Sequence, residues 1–492
     1  MTGGGPSGSG PHPDNPTRPA WLPGGATQPQ APGPPGWGPP PPPPRPRGQL
    51  LPLVALVLVA VVASTGLVVT LASDRRAATP PPTTATPAPT TTRAAPTTTR
   101  PPATTARAPA AVRAVQADVA ELRGLRFRRQ VPVTIESPAK LARRLLRTLA
   151  AEIDEAEQAR EGRALAVLGQ LPPGTDLPRL LRRIQAESVL GYYLPGRPPK
   201  GRLFVRSSRG LDPYARVILA HELTHALTDQ HFDLTRSDRL AAATARDDEE
   251  AAYSALAEGD ANLVLQRYLR ERLTPGEQAA AGLASAADRT PMRDAAPAVI
   301  REAMTFPYQE GLRFVLRLYQ AGGWAAVDRA YRDPPTSTEQ ILHPDRYLGR
   351  RDRPQPVTVP DVSGRLGAGW GRGTVIGFGE LDARLLLGTR LPQSTAEVAA
   401  AGWDGGRLRT FERAGRTALA LRTVWDSTAE ASEFCTALTR WATTRFGATT
   451  TPRRWSGQGQ HTALRCQGPR ITLLSAPDPT TFHRLLTAVP TA

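Results

Sequence analysis

Two histidines and one glutamate, within residues 221–225, are the side chains of this sequence best suited to chemistry. In a helix, a spacing of four residues places His221 and His225 on one face, about one turn apart, where both imidazoles can bind a single metal ion. Glu222 then lies beside that ion, where its carboxylate can take a proton from a bound water molecule. The chain has only seven histidines in 492 residues, so a chance H-E-x-x-H pattern on a solvated helix is the weaker interpretation.

The residues around this motif predict a buried helix. Asp212 followed by Pro213 is an N-cap and first-turn pair, and residues 214–230 contain neither glycine nor proline. The segment is apolar enough to be buried, and polar groups in a buried helix need partners, of which a metal ion is one. Residues 190–194 and 203–206 predict a β-hairpin just before the helix. This hairpin serves either packing or the pairing of an extended peptide.

A catalytic zinc ion usually has three protein ligands, and Glu258 is the best candidate for the third. It lies on a second predicted helix, residues 247–273, which begins with four acidic residues that suit a helix N-terminus. Apolar neighbours place Glu258 at a core, where a carboxylate needs a cation; the alternative is an ordinary exposed glutamate. Gly259 costs a helix about 1 kcal/mol relative to alanine, which predicts a close approach of another helix at that point.

Residues 221–229 resemble the metal helix of thermolysin-type gluzincins, zinc metallopeptidases whose third ligand is a glutamate on a later helix. The resemblance covers this helix and, more loosely, the segment around Glu258. The Pro-Tyr, Gly-Gly-Trp and Ser-Thr-Glu-Gln-x-Leu-His-Pro stretches further on look like those of an uncharacterised bacterial branch of membrane-anchored, gluzincin-like proteins. The resemblance implies that His221, His225 and Glu258 bind zinc and that Glu222 is the general base.

The chain departs from the gluzincin pattern four residues after Glu258. Gluzincins often carry there an aspartate that orients a zinc-binding histidine, and this chain has Asn262. Asn262 or Asp260 could take that role, and so could Asp229, which lies one turn beyond His225 on the same helix face. These alternatives stay open at the level of sequence.

Hydrolysis of an amide also needs a donor that stabilises the oxyanion. His343 precedes a proline and is the only histidine between His231 and His461, so it is the predicted donor. The phenols of Tyr308 and Tyr347 are alternatives. The non-catalytic interpretation of His343 is a helix cap or a loop residue, and His231 is predicted to be only a helix-end residue.

The N-terminal part of the chain predicts an anchored protein. Residues 1–48 are rich in proline and glycine, cannot bury a core, and are predicted to be disordered. Residues 49–72 are the predicted transmembrane signal anchor, because 50–72 is a run of 23 residues without a charge. Residues 73–111 form a Pro/Thr-rich stalk of the kind found outside membranes. Together they predict a single-pass cell-membrane protein with an extracytoplasmic catalytic domain.

Two globular regions follow. Residues 112–354 predict a mostly α, zincin-like catalytic domain with one short β-hairpin, and residues 355–492 predict a small α+β domain of order ββαββα. Cys435 and Cys466 are the only cysteines, and in an exported chain they predict a disulfide, although two buried thiols would give the same sequence. Neither is near the histidines, so cysteine ligation of zinc is not expected.

The net charge of +17 is carried almost wholly by arginine, spread along the chain without interleaved aromatic residues. Nucleic acid is therefore not an expected partner. The sequence predicts a membrane-anchored, extracytoplasmic zinc metallopeptidase that uses Zn2+ and acts on a peptide or protein. Two alternatives remain: a non-catalytic cell-surface binding module with a structural or vestigial zinc site, and a zinc amidase acting on a cell-wall substrate.

Overall fold

The computed structural model describes residues 108–152, 154–196, 201–288 and 295–490. Within these ranges the chain forms fifteen helices. They are α1 (Ala108–Arg123), α2 (Pro138–Glu152), α3 (Glu155–Val167), α4 (Leu177–Ser188), α5 (Pro213–Phe232), α6 (Arg236–Ala241), α7 (Asp247–Arg272), α8 (Pro275–Ala287), α9 (Ala298–Arg332), α10 (Thr338–Leu342), α11 (Asp345–Leu348), α12 (Glu380–Gly388), α13 (Gln393–Ala400), α14 (Thr428–Phe446) and α15 (Pro479–Ala488).

The described residues form two sheets. The first has the order β1-β3-β2, with β1 parallel and β2 antiparallel to β3. The second is antiparallel throughout and has the order β4-β5-β6-β9-β8-β7. The strands are β1 (Val133–Glu136), β2 (Gly191–Leu194), β3 (Arg202–Arg206), β4 (Gly371–Gly377), β5 (Trp403–Arg413), β6 (Arg416–Trp425), β7 (Arg454–Gly457), β8 (Gln460–Gln467) and β9 (Arg470–Ala476).

The motif helix α5 forms as its sequence predicts. The Asp212 side chain accepts a hydrogen bond from the backbone N–H of Ala215, and Pro213 occupies the first helical position. The helix ends at Asp233, whose φ of 59° is left-handed. Nearly all side chains from Ala215 to Gln230 are buried, because α1, α7, α8 and the first sheet surround the helix. Apolar burial on every side, rather than an amphipathic stripe, therefore holds α5 in place.

Helices α7 and α9 cross at two glycines. A Cβ atom on Gly259 would lie 2.1 Å from the carbonyl oxygen of Gly311, and one on Gly311 would lie 2.1 Å from that of Ala255. Both distances are far shorter than a van der Waals contact, so only glycine fits at either position. The close helix approach predicted at Gly259 is confirmed. Further along, α9 is interrupted at Gly323, whose φ is +58°.

The second sheet carries its own core. Helix α14 packs against it, and stacked Trp425 and Phe434 lie in that interface with ring centroids 4.3 Å apart. Cys435 of α14 is bonded to Cys466 of β8, so the predicted disulfide is confirmed and the alternative of two free thiols is excluded. One hydrophobic interface and one disulfide thus join α14 to the sheet.

Helix α3 belongs to the core of the second sheet, although it lies early in the chain. Ala164 and Val167 pack in the same hydrophobic cluster as residues of β5, β6 and α14. The Arg445 guanidinium of α14 donates to the carbonyl oxygen of Val167 at 2.6 Å, and the Thr374 hydroxyl of β4 donates to Glu157. A hydrogen bond from the backbone N–H of Gly377 to Asp247 adds a second link between the helices and this sheet.

The predicted architecture, a mostly α domain with one hairpin followed by a small ββαββα domain, is wrong. The hairpin of β2 and β3 is found, but β1 extends it into a three-stranded mixed sheet. The C-terminal region contains six strands rather than four and forms a large antiparallel sheet. The strands that the sequence does not reveal are short or rich in glycine, such as β7 and β4, so they lack the β-branched alternation by which strands are predicted.

The prediction of a transmembrane helix also needs correction. None of the helices described here is both long and apolar enough to cross a membrane, since the longest, α7 and α9, carry acidic and basic residues throughout. The predicted anchor at 49–72 lies outside the described residues, as do the tail at 1–48 and the stalk as far as residue 107. Membrane attachment, and with it the predicted cell-membrane, extracytoplasmic location, is therefore not supported.

Candidate metal centre

Helices α5 and α7 bring three potential metal ligands to one point. The Nε2 atoms of His221 and His225 are 3.0 Å apart. The Oε2 atom of Glu258 lies 3.1 Å from the Nε2 of His221 and 3.5 Å from that of His225. Two ligands of a tetrahedral zinc ion, with bonds of about 2.0–2.1 Å, are separated by about 3.3 Å. The three atoms therefore have the spacing of one face of a tetrahedral zinc site.

The chemistry of these three groups fits a cation. Burial lowers the pKa of His221, which favours the neutral imidazole. Burial opposes ionisation of Glu258, but the two histidines outweigh it and lower the pKa of that carboxyl to about 2. The Nδ1 atoms of both histidines are buried without a hydrogen-bond partner in the described part of the chain. The atoms that converge are the two Nε2 atoms and the Oε2 atom, and a metal ion is a partner that such a buried set can hold.

Glu222 lies beside this group and makes no use of its carboxylate for structure. The residue is fully buried, and neither carboxylate oxygen has a hydrogen-bond partner of normal geometry among the described residues. Its Cγ would be 3.1 Å from a Cβ on Gly191, so strand β2 covers it. Burial and the negative charge of Glu258 raise the pKa of Glu222 well above its usual range, and the backbone N–H of Tyr193 opposes this in part. A carboxylate in this setting readily takes up a proton.

Helix α9 adds a phenol to the centre. The ring of Tyr308 lies over that of His221, with centroids 6.4 Å apart and planes 25° apart. Burial first, then the charges of Glu258 and Glu222, raise the pKa of Tyr308 well above its usual range. A hydrogen bond with Glu258 raises it further, so the phenol keeps its proton and can act as a donor. The sequence predicts His343 as the oxyanion donor and offers Tyr308 only as an alternative.

The predicted oxyanion donor His343 is placed elsewhere. Its Nε2 atom lies 3.0 Å from Glu380 and 3.2 Å from the guanidinium of Arg384, both on α12. Helix α10, which precedes it, is bonded to α7 through Thr338 and Asp248, ten residues and thus about 15 Å of helix before Glu258. The structure does not bring His343 into the group formed by His221, His225 and Glu258.

Tyr347 is also not part of the centre. Its hydroxyl donates to the carbonyl oxygen of Asp333 at 2.8 Å, and its ring packs on Phe314. His231 matches the prediction of a helix-end residue, because its Nε2 lies 2.9 Å from the carbonyl oxygen of Arg126 at the end of α5. Of the three aromatic or histidine side chains considered as oxyanion donors, only Tyr308 reaches the site.

The residues that could orient a histidine are now distinguished by their contacts. Asn262 donates to the carbonyl oxygen of Tyr308 at 3.1 Å, and its amide also raises the pKa of His221. The carboxylate of Asp229 is used by the Tyr193 hydroxyl at 2.7 Å and by the backbone N–H groups of Gly196 and Leu234, each at 2.9 Å. Asn262 is therefore the one candidate whose contacts lie at the metal centre.

Asp260 has a different partner, the fully buried Arg123 of α1. The Nε atom of Arg123 donates to both oxygens of Asp260, at 2.8 and 3.0 Å, and its Nη2 atom donates to Asp328 at 2.8 Å. The guanidinium carbon also lies 4.4 Å from the ring of Trp324. Asp260 thus ties α7 to α1 two residues after Glu258. No pattern in the sequence distinguishes Arg123 from the many other arginines.

A second group of acidic residues is already neutralised. Glu339, Asp352 and Asp426 bring carboxylate oxygens close together. The Nη1 atom of Arg346 lies 3.3 Å from Glu339 and 2.6 Å from Asp426, and it also pairs with Asp352. The guanidinium of Arg346 thus takes the position that a metal ion would occupy. The group is an ion-pair network that joins α11 to the second sheet.

Comparisons with known proteins give little beyond this geometry. Residues 369–486 match a family described as a domain of unknown function (DUF8575), and this segment contains the six-stranded sheet but none of the ligands. Among curated proteins, none matches the chain. The crystal structure of a proposed hydrolase with a novel fold, from Chloroflexus aurantiacus, is similar over 51% of this chain and 90% of that chain, with 20% identity and a TM-score of 0.36. At that TM-score the likeness carries no argument, and the resemblance to gluzincins stays a prediction.

Proposed function

We propose that this protein is a zinc-dependent hydrolase that cleaves amide bonds in peptides or proteins. The observation that supports this most directly is the convergence of His221, His225 and Glu258 at the spacing of a tetrahedral site, with Glu222 unpaired beside them. A zinc ion held by these residues would act as a Lewis acid and lower the pKa of a bound water molecule toward neutrality. The described ligand group has three members, as catalytic zinc sites usually do.

The chain's own residues divide the remaining work. Glu222 accepts the proton of the attacking water on a carboxylate oxygen and delivers it to the leaving amine. The Tyr308 hydroxyl, which stays protonated in this setting, donates to the oxygen of the scissile carbonyl as negative charge develops there. Asn262 holds the backbone of Tyr308 through the hydrogen bond to its carbonyl oxygen. Strand β2 covers Glu222 and excludes bulk water.

Complete burial of the ligands favours one other function, a structural metal site in a protein that binds a partner. His221 and His225 are 0% exposed and Glu258 is 2% exposed. A structural zinc site normally has four protein ligands, which is one more than the described group contains. A cell-wall amide as substrate is a third possibility, because it requires the same chemistry at the reacting atoms.

The decisive experiment is cleavage of a mixed peptide library by the full-length chain with zinc, with a chelator, and as two glutamate variants. Glu222→Gln is expected to abolish cleavage while still binding one zinc per chain, because the general base is lost and the ligands are kept. Glu258→Ala is expected to lose the metal. Glu433→Gln, an equivalent change at an exposed position of α14, is the matched control and is expected to keep full activity.

Three outcomes would contradict the proposal in different ways. Cleavage that survives both the chelator and Glu222→Gln would refute zinc chemistry at this site. One bound zinc per chain without cleavage of any peptide would favour the structural site. Hydrolysis confined to cell-wall amides would replace the substrate class and keep the chemistry.

A further inference from the structure

A cleft of about 740 Å³ opens at the C-terminal end of α5. Its size lies within the range of about 300–1,000 Å³ that is usual for ligand sites. Among the residues that line it are Arg128, Arg129, Asp229, Phe232, Tyr331 and Arg332. No step of the hydrolysis proposed above uses these side chains.

Two residues that line the cleft lie close in the fold to the helices that carry the ligands. Asp229 lies one turn after His225, on the helix stripe that also carries His221, so the cleft lies about 6 Å of helix rise beyond the second ligand. On the other side, the Tyr331 hydroxyl donates at 3.0 Å to Asp260, two residues after Glu258. The lining of the cleft is therefore linked, along α5 and through the Tyr331–Asp260 hydrogen bond, to the two helices that carry the ligands.

Three arginines and two aspartates line the cleft, and one of these aspartates, Asp233, is paired with Arg239 outside it. Arg128 donates to the carbonyl oxygen of Gln230, and Arg332 lies over the ring of Phe232 at 5.6 Å, but neither forms an ion pair within the described ranges. The carboxylate of Asp229 already accepts three hydrogen bonds and lies 3.6 Å from Arg129, so it does not neutralise the other two guanidinium groups. Two unneutralised guanidinium groups in one cleft favour a bound carboxylate.

The fold holds the backbone and the aromatic rings of the cleft, whereas the side chains of Arg128 and Arg332 are exposed. The Gln230 side-chain oxygen accepts from the backbone N–H groups of Arg128 and Arg129, at 2.7 and 3.0 Å, and its amide donates to the carbonyl oxygen of Arg129 at 3.2 Å. Phe232 and Tyr331 stack with ring centroids 4.7 Å apart and planes 4° apart. The backbone and the rings that border these side chains are thus ordered before an anion binds, which favours affinity.

We propose that this cleft binds a carboxylate of the substrate and so makes the enzyme selective for acidic peptides. The proposal rests on the hydrolase function given above, because the peptide that presents the carboxylate is the substrate of that hydrolase. The carboxylate belongs either to an aspartate or glutamate side chain or to the C-terminus of the peptide. Both sources present the same planar group to the same two guanidinium groups, Arg128 and Arg332.

The test measures binding separately from catalysis. Full-length Glu222→Gln protein, loaded with zinc, is titrated with peptides that differ only in Asp against Asn, or in a free against an amidated C-terminus. Acidic peptides are expected to bind more tightly. Arg332→Gln and Arg128→Gln, each added to that background, are expected to weaken this binding roughly tenfold and leave neutral peptides unchanged. Arg270→Gln, at an exposed arginine of α7 outside the cleft, is the matched control.

The pairs of peptides identify the source of the carboxylate, since only one pair should lose its preference in the arginine variants. Thermal unfolding of each variant confirms that it is folded. Equal binding of acidic and neutral peptides, no binding of any peptide, or arginine variants that bind like the parent protein would each overturn the proposal. Cleavage by the unmutated protein without a preference for acidic peptides would overturn the cleft and keep the hydrolase. A preference for acidic peptides in binding, without any cleavage, would support the cleft and overturn the hydrolase function.

Discussion

The crossing of α7 and α9 gives a prediction whose size follows from the structure. Gly259 follows the ligand Glu258 directly, and a Cβ at this position would lie 2.1 Å from the carbonyl oxygen of Gly311 and 2.3 Å from its carbonyl carbon. Ordinary contact begins at 3.4 Å, so Gly259→Ala must move the two backbones apart by more than 1 Å. Ligand distances in metal sites tolerate about 0.2 Å. The substitution therefore displaces Glu258 by several times that tolerance.

We expect Gly259→Ala to weaken zinc binding by about 10- to 100-fold, the range found when a residue that supports a ligand is changed. Overpacking is expected to cost about 1–3 kcal/mol in the free energy of unfolding, offset by about 1 kcal/mol because alanine favours a helix. Competition between the protein and a chromophoric chelator measures zinc affinity. Thermal unfolding of the metal-free protein measures stability.

Gly282→Ala is the matched control for this prediction. Gly282 lies in the middle of α8, and no atom lies within 4 Å of the position its Cβ would take. The same substitution should therefore stabilise the protein by up to about 1 kcal/mol and leave zinc affinity unchanged. Wild-type zinc affinity in folded Gly259→Ala would refute the argument that this crossing positions Glu258.

Two further predictions concern stability. Burial raises the pKa of Asp248 from 3.8 to about 7. The folded state therefore binds this proton more tightly than the unfolded state does. The resulting contribution to the free energy of unfolding is fully present below pH 4 and is lost as the pH rises through 7. Urea unfolding from pH 5 to 8 should show a fall of a few kcal/mol at most in the free energy of unfolding. Asp248→Asn should reduce this fall without abolishing it, because burial also raises the pKa of Asp247 to about 8 and that of Glu250 to about 7. A fall equal to that of the parent protein would exclude Asp248 as a source. Replacing Cys435 and Cys466 together by serine should cost about 3–4 kcal/mol, because the crosslink closes a separation of 31 residues. An unfolding free energy equal to that of the parent, measured by the same method, would contradict this.

The parts of the site that the sequence predicted are those set by local spacing. The interval between His221 and His225, the capping pair at Asp212 and the acidic start of α7 each act within one or two helical turns. The close approach at Gly259 was also predictable, because a glycine inside a helix is costly unless a neighbour needs the space. These signals lie in the chain next to the structure that they determine.

The parts that could not be predicted depend on how distant segments meet. Tyr308 reaches the centre because α9 crosses α7 at the two glycines. The glycine at 259 predicts a close approach, but no local pattern specifies that α9 is the helix that approaches. His343 is held away because Thr338, five residues before it, is bonded to Asp248 across 90 positions of sequence. Strand β1 is only four residues long and pairs in parallel with β3. Such pairings are set by the assembled core rather than by periodicity.

The early position of α3 affects how this protein can be synthesised. Glu157 is bonded to Thr374, 217 residues later in the chain. A ribosome adding about 5–20 residues per second needs roughly 10–40 s to reach that partner. During this interval the apolar side of α3, including Ala164 and Val167, has no sheet to cover it. The nascent chain therefore carries an uncovered hydrophobic surface until translation has passed β6, and chaperone binding or aggregation is most expected in that interval.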